Sequence, residues 1–456
     1  MVYWKEINGN CSEVRSFPMA LTLVLSLTTC VGMFVTILIK PTAGFRVNSH
    51  KFSIGLYWVI ALLGAILILA VKVIPLKEAW AKLTDDSAIN PLKILTLFIC
   101  NTILSVFLDE AGFFRYLAIK CLHKVGSQKK FFIVLYALVS VLTIFTSNDI
   151  VVLTFTPFIC YYAKSANVDP VPYLVGEFVA ANSFSLMLII GNPTNIYIAT
   201  SYGINFGRYF IVMFIPTLFA GLSGFLMTFF IFRKRLTQPA APSAMEAEIA
   251  DKPMLAVGLC ALALCTVLLA ISSYVGFEMW YISLAFASAI IVFGLVYSLC
   301  KKRKPAEIVK TLRRSPWELI PFVISMFIIV LALDAHGVTE LLAKILDKGN
   351  GTALTIGPAS FLFANLINNI PMSVLFTSVA GYCTATEYAV YASVIGSNIG
   401  AFLTPVGALA GIMWLNILKS QNVAFGFLRF IKYGFMIAVP TLLAAIGGLY
   451  LSLCLF

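Results

Sequence analysis

Apolar runs long enough to cross a lipid bilayer recur along this whole sequence, and they restrict its fold more than any other feature. They lie near 18–39, 53–75, 92–108, 171–200 and 207–232, and again near 253–272, 277–299, 317–333, 386–416 and 430–453. Lengths of about 18 to 25 residues let an α-helix span roughly 30 Å of hydrocarbon. A transmembrane β-barrel would instead alternate polarity in segments of about ten residues, and none occur. With 60% hydrophobic and 11% charged residues, the chain has too little polar surface for a soluble protein of 456 residues. The fold class is therefore an all-α multi-pass membrane protein. Met1–Phe17 carries Lys5, Glu6, Glu13 and Arg15, and no small-residue cleavage site follows the run from Pro18 to Ile39. That run reads as a retained helix rather than a signal peptide.

Between the third and fourth run of each set lies a different unit, two shorter apolar helices joined by a polar tip. These units are 130–146 with 150–162, and 353–367 with 372–383. Arms of roughly 12 to 17 residues are short for a full crossing and read as re-entrant helical hairpins. Thr237–Lys252, rich in Ala, Pro and Glu, reads as a linker between 1–236 and 253–456. The two parts repeat each other. Leu108-Asp109-Glu110-Ala111-Gly112 is matched by Leu333-Asp334-Ala335-His336-Gly337, and the tip Thr146-Ser147-Asn148-Asp149-Ile150 by Ile367-Asn368-Asn369-Ile370-Pro371. Asn182 precedes Gly191 at the same spacing as Asn398 precedes Gly407. Each repeat is expected to hold five spanning helices, one of them discontinuous, plus one re-entrant hairpin. An odd number of crossings gives the two repeats inverted topology.

Lysine and arginine orient the chain. With Lys40, Arg46 and Lys51 on the cytoplasmic side, alternation also places Arg115, Lys129, Lys164, Arg233, Lys301, Arg303, Arg314 and Lys432 there, with most of the 32 basic residues. Both termini then fall outside, and 237–252 is cytoplasmic. The net charge of +12 is thus a topology signal of a cell-membrane protein in contact with lipid, with no nucleic-acid partner.

An inverted repeat with paired hairpins and discontinuous helices is the architecture of a secondary transporter with its site at the midplane. Four polar interruptions supply candidates: the two tips, Asn192-Pro193 in the fourth span, and Thr404-Pro405 in the ninth. Ser147, Asn148, Asp149 and Asn368 are cap residues, and a proline follows a cap residue at the other two breaks. Each break is expected to aim free backbone N–H groups and a positive helix end at the interior. Four such ends suit an anion or a neutral solute rich in oxygen, while the carbonyl ends of the preceding half-helices suit a cation. Unwound backbone is tolerated in a membrane only where it is buried or lines a cavity.

Asp149, at membrane depth, is the expected proton- or cation-coupling group. Glu177, after Asp169-Pro170, is the second candidate. Asp109, Glu110 and Asp334 read as helix caps at the interface, and Phe113-Phe114-Arg115-Tyr116 as an in-plane helix. The ten cysteines form no CxxC pair or Cys/His cluster, and no HExxH, Walker A or GxSxG motif occurs. No bound metal, ATP site, hydrolytic chemistry or other enzyme activity is indicated. No cofactor is expected beyond a transported ion or proton.

Taken in order, Leu108-Asp109-Glu110-Ala111-Gly112-Phe113-Phe114, Asn148-Asp149 with Thr156-Pro157, Ser315-Pro316-Trp317, Asn368-Asn369-Ile370-Pro371 and Gly396-Ser397-Asn398-Ile399-Gly400 with Leu403-Thr404-Pro405-Val406-Gly407 resemble the arsenite/antimonite permease family. That family belongs to the ion transporter superfamily, with sodium/proton antiporters and divalent anion/sodium symporters. The resemblance runs from about residue 20 to the end. It implies a scaffold plus a transport unit built from the hairpins and broken helices. The implied substrate-binding residues are Asn148, Asn182, Asn192, Thr194, Asn195, Asn369, Asn398 and Thr404, with Asp149 and Glu177 for coupling. It implies arsenite or antimonite efflux driven by the proton gradient or membrane potential, with anion transport or sodium/proton antiport as alternatives. A homodimer and an associated ATPase subunit are both compatible with it. Gly191-Asn192-Pro193-Thr194-Asn195 and Ala401-Phe402 depart from the arsenite pattern.

No cysteine falls at any of the four breaks, although Cys160 and Cys383 lie along hairpin arms. Recognition of trivalent arsenic is therefore expected to use oxygen and amide groups. A folded variant lacking all ten cysteines should retain transport in proteoliposomes, and loss of transport would assign recognition to thiolate.

Overall fold

The computed structural model describes residues 19–40, 42–47, 50–85, 90–122, 127–237, 249 and 251–456. Met1–Phe17 and most of the linker 237–252 lie outside the described residues. The first part contains α1 (Met19–Ile39), a ribbon of β1 (Thr42–Val47) and β2 (His50–Gly55), α2 (Leu56–Ala70), α3 (Leu76–Thr84), α4 (Pro91–Glu110) and α5 (Phe113–Leu122). It continues with α6 (Gln128–Phe145), α7 (Asn148–Ala166), α8 (Val171–Phe184), a 3-10 turn (Ile189–Gly191), α9 (Pro193–Ser201) and α10 (Phe206–Phe232). The second part contains α11 (Lys252–Val275), α12 (Met279–Cys300), α13 (Ala306–Arg314), α14 (Leu319–Ala335) and α15 (Val338–Leu346). It ends with α16 (Ala353–Ile367), α17 (Asn369–Gly381), α18 (Thr386–Gly400), a 3-10 turn (Pro405–Gly407), α19 (Leu409–Ser420) and α20 (Phe427–Leu455). Helix for helix, α1–α10 and α11–α20 correspond, including the 3-10 turn inside each broken helix.

The repeats interlock about a pseudo-twofold axis. α4 packs on α12 as α14 packs on α2, and α10 lies along its own counterpart α20. The half-helix α9 packs against the hairpin arm α17 of the other repeat, as α19 packs against α7. Neither repeat thus completes its own interior. Packing inside a bilayer gains nothing from leaving water, so small residues and polar stitches set these contacts. The ends of the α4–α12 and α14–α2 pairs carry matching stitches of different chemistry. Lys93 bonds Glu278 at 2.9 Å, whereas Glu318 accepts from the Gly55 amide and the Tyr57 hydroxyl, each at 3.1 Å.

Several expectations change in detail. Eight helices among the described residues are long and apolar enough to cross a bilayer, against ten runs in the sequence. The broken helices α8–α9 and α18–α19 are runs that no single helix fills, and the run 53–75 yields only the 15 residues of α2. That helix starts late because β1 and β2 pair antiparallel, with Thr42 opposite Gly55 and Phe45 opposite Phe52. Aromatic and β-branched residues alternating with polar ones suit a ribbon better than a helix. The first hairpin's arms, at 18 and 19 residues, are longer than the sequence suggested, so α6 alone counts among the eight.

Four short helices flank the spans: α5 and α15, of which α5 covers the in-plane stretch anticipated at Phe113–Tyr116, and α3 and α13, which were not anticipated. Asp109 and Glu110 do not cap α5. They end α4, where a helix dipole disfavours carboxylates, and Arg314 of α13 pairs with both. Asp334 likewise lies at the end of α14 and accepts from Thr339.

Asp347, in the loop after α15, binds both feet of the second hairpin. Its carboxylate accepts from Thr352 Oγ1 (2.6 Å), the Gly349 amide (3.1 Å), and the amide (2.7 Å) and hydroxyl (2.8 Å) of Thr384. Burial alone would raise its pKa, but these donors outweigh that and hold the carboxyl down at about 2. A depressed folded pKa contributes stability that is present above the unfolded value near 4 and is lost as pH falls toward 2. Asp347→Asn should therefore lower the melting temperature at pH 7 and narrow its gap to the parent between pH 4 and pH 2. A pH-independent gap would mean that the carboxylate's charge is not what binds the feet.

Candidate functional site

The first broken helix shows why its sequence is polar where hydrocarbon would favour leucine. After α8, Ser185 and the 3-10 turn carry the chain back on itself, and extended Asn192 starts α9 with Pro193 in the first turn. Asn192 Oδ1 accepts from the Thr194 amide (3.1 Å) and hydroxyl (3.0 Å), which caps the new helix. Gly191 lies so close beneath Ser185 that a Cβ there would sit 2.2 Å from the Ser185 carbonyl oxygen. At the counterpart Gly407, a Cβ would sit 2.6 Å from the Gly400 carbonyl oxygen. Both turns close by backbone against backbone, which only glycine permits.

Asn398, from the middle of the other broken helix, fastens this turn. Its Oδ1 accepts from Ser185 Oγ (2.8 Å) and Asn192 Nδ2 (3.0 Å), and its Nδ2 donates to Asn195 Oδ1 (2.7 Å) and Val394 O (2.9 Å). Asn195 Nδ2 donates to the Ser185 and Leu188 carbonyls. Ser185 Oγ also donates to Asn182 O (2.9 Å), and Asn148 Nδ2 donates to Asn182 Oδ1 (3.0 Å). One continuous network thus runs from the first hairpin tip through the first broken helix to the second, and every member is buried.

The second hairpin makes its own network. Asn365 Oδ1 accepts from the Thr404 amide (3.0 Å) and hydroxyl (2.7 Å), and its Nδ2 donates to Gly400 O (3.0 Å). Asn368 Nδ2 donates to Val406 O (2.9 Å). Asn368 stands at φ 75°, a left-handed conformation strained for asparagine, and its own side chain caps α17 at the Ile370 amide. Thr404-Pro405 starts the 3-10 turn, while α19 starts after Ala408. The true counterpart of Asn192 is therefore Ala408, and the cap-then-proline pairing inferred from sequence does not hold at the half-helix. Thr404 belongs with Asn365 and makes no bond to the Asn398 network.

Of the predicted residues, Asn182, Asn192, Asn195, Asn398 and Asn148 share one network, with Thr194 held to Asn192. Asn195 and Asn398 have both ends of their amides bonded within the protein. Acceptors without partners cluster at the first tip: Ser147 Oγ and Asn148 Oδ1 are buried with no hydrogen-bond partner. Among the described residues none donates to the Asp149 carboxylate, and Ser147 caps α7 without a side-chain bond. Asn369 opens α17 at the second tip, almost fully buried. Glu177 is fully buried apart from these groups, its carboxylate held by Thr156 Oγ1 at 3.0 and 3.2 Å, with the Trp414 indole of the other repeat beside it. A small apolar cavity of about 20 Å³, room for about one water, lies between the breaks and the scaffold, lined by Phe98 of α4, Val323 of α14, Pro193 and Ser373.

Sequence reasoning missed Ser185, Asn365 and Thr156. Signals existed for the first two, since Ser185 lies one turn after Asn182 and Asn365 one turn before Asn368, on the same helix faces. Thr156 was legible only as part of Thr156-Pro157, because its partner Glu177 comes from another helix.

Comparisons with known proteins cover nearly the whole chain. A family model described as citrate transporter matches residues 52–392. An arsenical pump membrane protein of Escherichia coli is 27% identical over 431 residues, covering 88% of this chain and 94% of that protein. A putative arsenical pump membrane protein of Bacillus subtilis is 25% identical over 425 residues, covering 86% and 93%. The crystal structure of the YdaH transporter of Alcanivorax borkumensis superposes with a TM-score of 0.56 at 13% identity, covering 96% of this chain and 98% of that one. The last likeness shows a shared fold.

If Asn398 fastens the first break, Asn398→Ala leaves Asn192 Nδ2 and Asn195 Oδ1 buried and unpaired and should cost on the order of 3 kcal/mol. Asn192→Ala removes chiefly a cap and should cost about 1 kcal/mol. Thermal unfolding in detergent ranks the two, and equal or reversed losses would show that Asn398 is not the fastening point.

Proposed function

Because this chain belongs to the citrate transporter family, we propose that it is a secondary active transporter exporting arsenite or antimonite across the cell membrane, driven by the proton gradient or membrane potential. The observation that carries the cargo is the end-to-end similarity to arsenical pump membrane proteins. Trivalent arsenic is chiefly a neutral hydroxide at neutral pH, so it presents hydroxyl groups. Such a solute finds acceptors in Ser147 Oγ, Asn148 Oδ1 and Asp149, and donors in the side chain and amide of Asn369 and the first amides of α7. Asp149 is the coupling group. Glu177 is a second carboxyl, on α8 of the broken helix and held by Thr156 of the hairpin's return arm. The framework residues Asn182, Asn192, Thr194, Asn195, Asn398 and Thr404 hold the breaks open around that cargo.

The repeats 1–236 and 253–456 supply one hairpin and one broken helix each to the transport unit, joined by a cytoplasmic linker at 237–252, with both termini extracytoplasmic. A second reading, transport of an organic or inorganic anion with or without sodium, is favoured by the description of the family and by the Gly191–Asn195 loop, which departs from the arsenite pattern.

Reconstituted vesicles separate these readings. Arsenite flux should follow an imposed pH gradient without sodium, and Asp149→Asn should abolish its pH dependence while the protein remains folded. Sodium-dependent flux of citrate or another anion, with no arsenite flux, would overturn the first reading in favour of the second. Unchanged proton coupling in Asp149→Asn would remove Asp149 from that role alone.

A further inference from the structure

One carboxylate ties three helices together across the repeat boundary. Asp109 Oδ2 accepts from Arg314 Nη2 at 2.7 Å, and Asp109 Oδ1 lies 2.8 Å from Thr154 Oγ1, whose one proton is shared with the Ile150 carbonyl of its own helix, also at 2.8 Å. Arg314 Nη1 also reaches Glu110 at 2.5 Å, with Lys310 3.8 Å from the same carboxylate. Asp109 and Glu110 end α4, Arg314 ends α13 of the other repeat, and Thr154 lies on α7, the return arm of the first hairpin. The counterpart of Asp109 is Asp334, at the end of α14. It accepts from Thr339 and from Tyr382, while Lys82 of α3, the counterpart of α13, is its nearby cation.

The two aspartates meet their hairpins at different levels. Thr154 lies six residues beyond Asn148 at the first tip, whereas Tyr382 lies thirteen residues beyond Asn369 at the second. In a molecule obeying its pseudo-twofold axis these levels would be equal. The difference is about two turns of helix, on the order of 10 Å of α-carbon rise. The hairpins are therefore displaced along the α4 and α14 scaffold, toward the face that carries α13. An inverted repeat has a second arrangement of equal standing, in which the two halves exchange these levels.

We propose that Asp109, Arg314 and Thr154 form a releasable tie that holds the first hairpin toward the α13 face. The site opens to the opposite face only when the Thr154 bond breaks and Asp334 takes the corresponding place nearer the second tip. Ser373 and Thr377 carry the nearest hydroxyls there, and both now donate to carbonyls of their own helix. The ion pair between Asp109 and Arg314 joins scaffold to scaffold and persists through the cycle, so Thr154 is the part that lets go.

The test uses Tyr197→Cys, which lines the small cavity between the breaks and the scaffold, in an otherwise cysteine-free protein in sealed vesicles. Its reaction with a membrane-impermeant maleimide is measured from each face. Thr154→Val keeps side-chain shape and leaves the ion pair intact. It should raise labelling from the face opposite α13, relative to the α13 face, by about fivefold, the factor for one hydrogen bond of ordinary net strength. Thr154→Ser should restore the parent ratio, and Arg314→Gln, which removes a contact common to both arrangements, should leave it near the parent's. An unchanged ratio in folded Thr154→Val would overturn the tie, even if transport slows. A ratio moved equally by Ser and Val would also overturn it, because the hydroxyl would then not be the cause.

Discussion

A helix interrupted inside hydrocarbon leaves amide and carbonyl groups that lipid cannot satisfy, and everything else in this protein follows from how those groups are answered. Asn398 answers for the first break. Its amide accepts from Ser185 and Asn192 and donates to Asn195, so the turn between α8 and α9 is closed by a side chain from the opposite repeat. The second break is answered from within its own repeat by Asn365 and Asn368. Each neutral bond contributes only about 1 kcal/mol net, but a buried partner left alone costs up to about three times that. The networks are therefore all-or-none, and they join the two broken helices and both tips into one unit.

A symmetric backbone carries asymmetric chemistry. Gly191 and Gly407 close equivalent turns for the same steric reason, yet Asn192, Thr194 and Asn195 are matched by Ala408, Ala410 and Gly411. The charged tip residue Asp149 has its counterpart in Ile370, and the buried Glu177 has no acidic counterpart in α18. Duplication supplies the architecture, in which either repeat can serve either side. Ser147 Oγ and Asn148 Oδ1 lie unpartnered beside Asp149 at the first tip, so the two hairpins differ chemically while the scaffold contacts remain shared.

The architecture was largely legible in the sequence, because both span length and duplication are local patterns. Repeated motifs predicted paired hairpins and paired breaks, and the structure extends the match to every helix from α1 to α20. The errors have physical causes. Most of the ribbon at Thr42–Gly55 was read as the basic loop carrying Lys40, Arg46 and Lys51, and its last residues, 53–55, went to a span because apolarity alone does not distinguish strand from helix. The amphipathic helices α3 and α13 are too short to show a period clearly. Thr404 was paired with Asn192 on a local cap-then-proline pattern, although the Gly191–Gly407 spacing pointed to Ala408. Which asparagines are framework and which face the cargo was not legible at all. That distinction depends on whether an amide finds its partners within the protein, and Asn195 finds them ten residues earlier in its own chain and across the repeat boundary.

The same reasoning relates the rigid unit to its surroundings. A network of buried, interlocked amides cannot shear without leaving further orphans, so the breaks and tips move together or not at all. The contacts between that unit and the scaffold are of another kind: apolar side chains around a cavity, and a few polar ties at the membrane edges such as Asp109 with Thr154. A polar tie near the interface can exchange one partner for water at little cost, whereas an amide network at the midplane has no water to accept. Rigidity is thus concentrated at the breaks and tips, and freedom is left at the boundary where α7 and α17 meet α4 and α14. That division of interaction types, set by depth in the bilayer, makes a broken helix compatible with both stability and turnover.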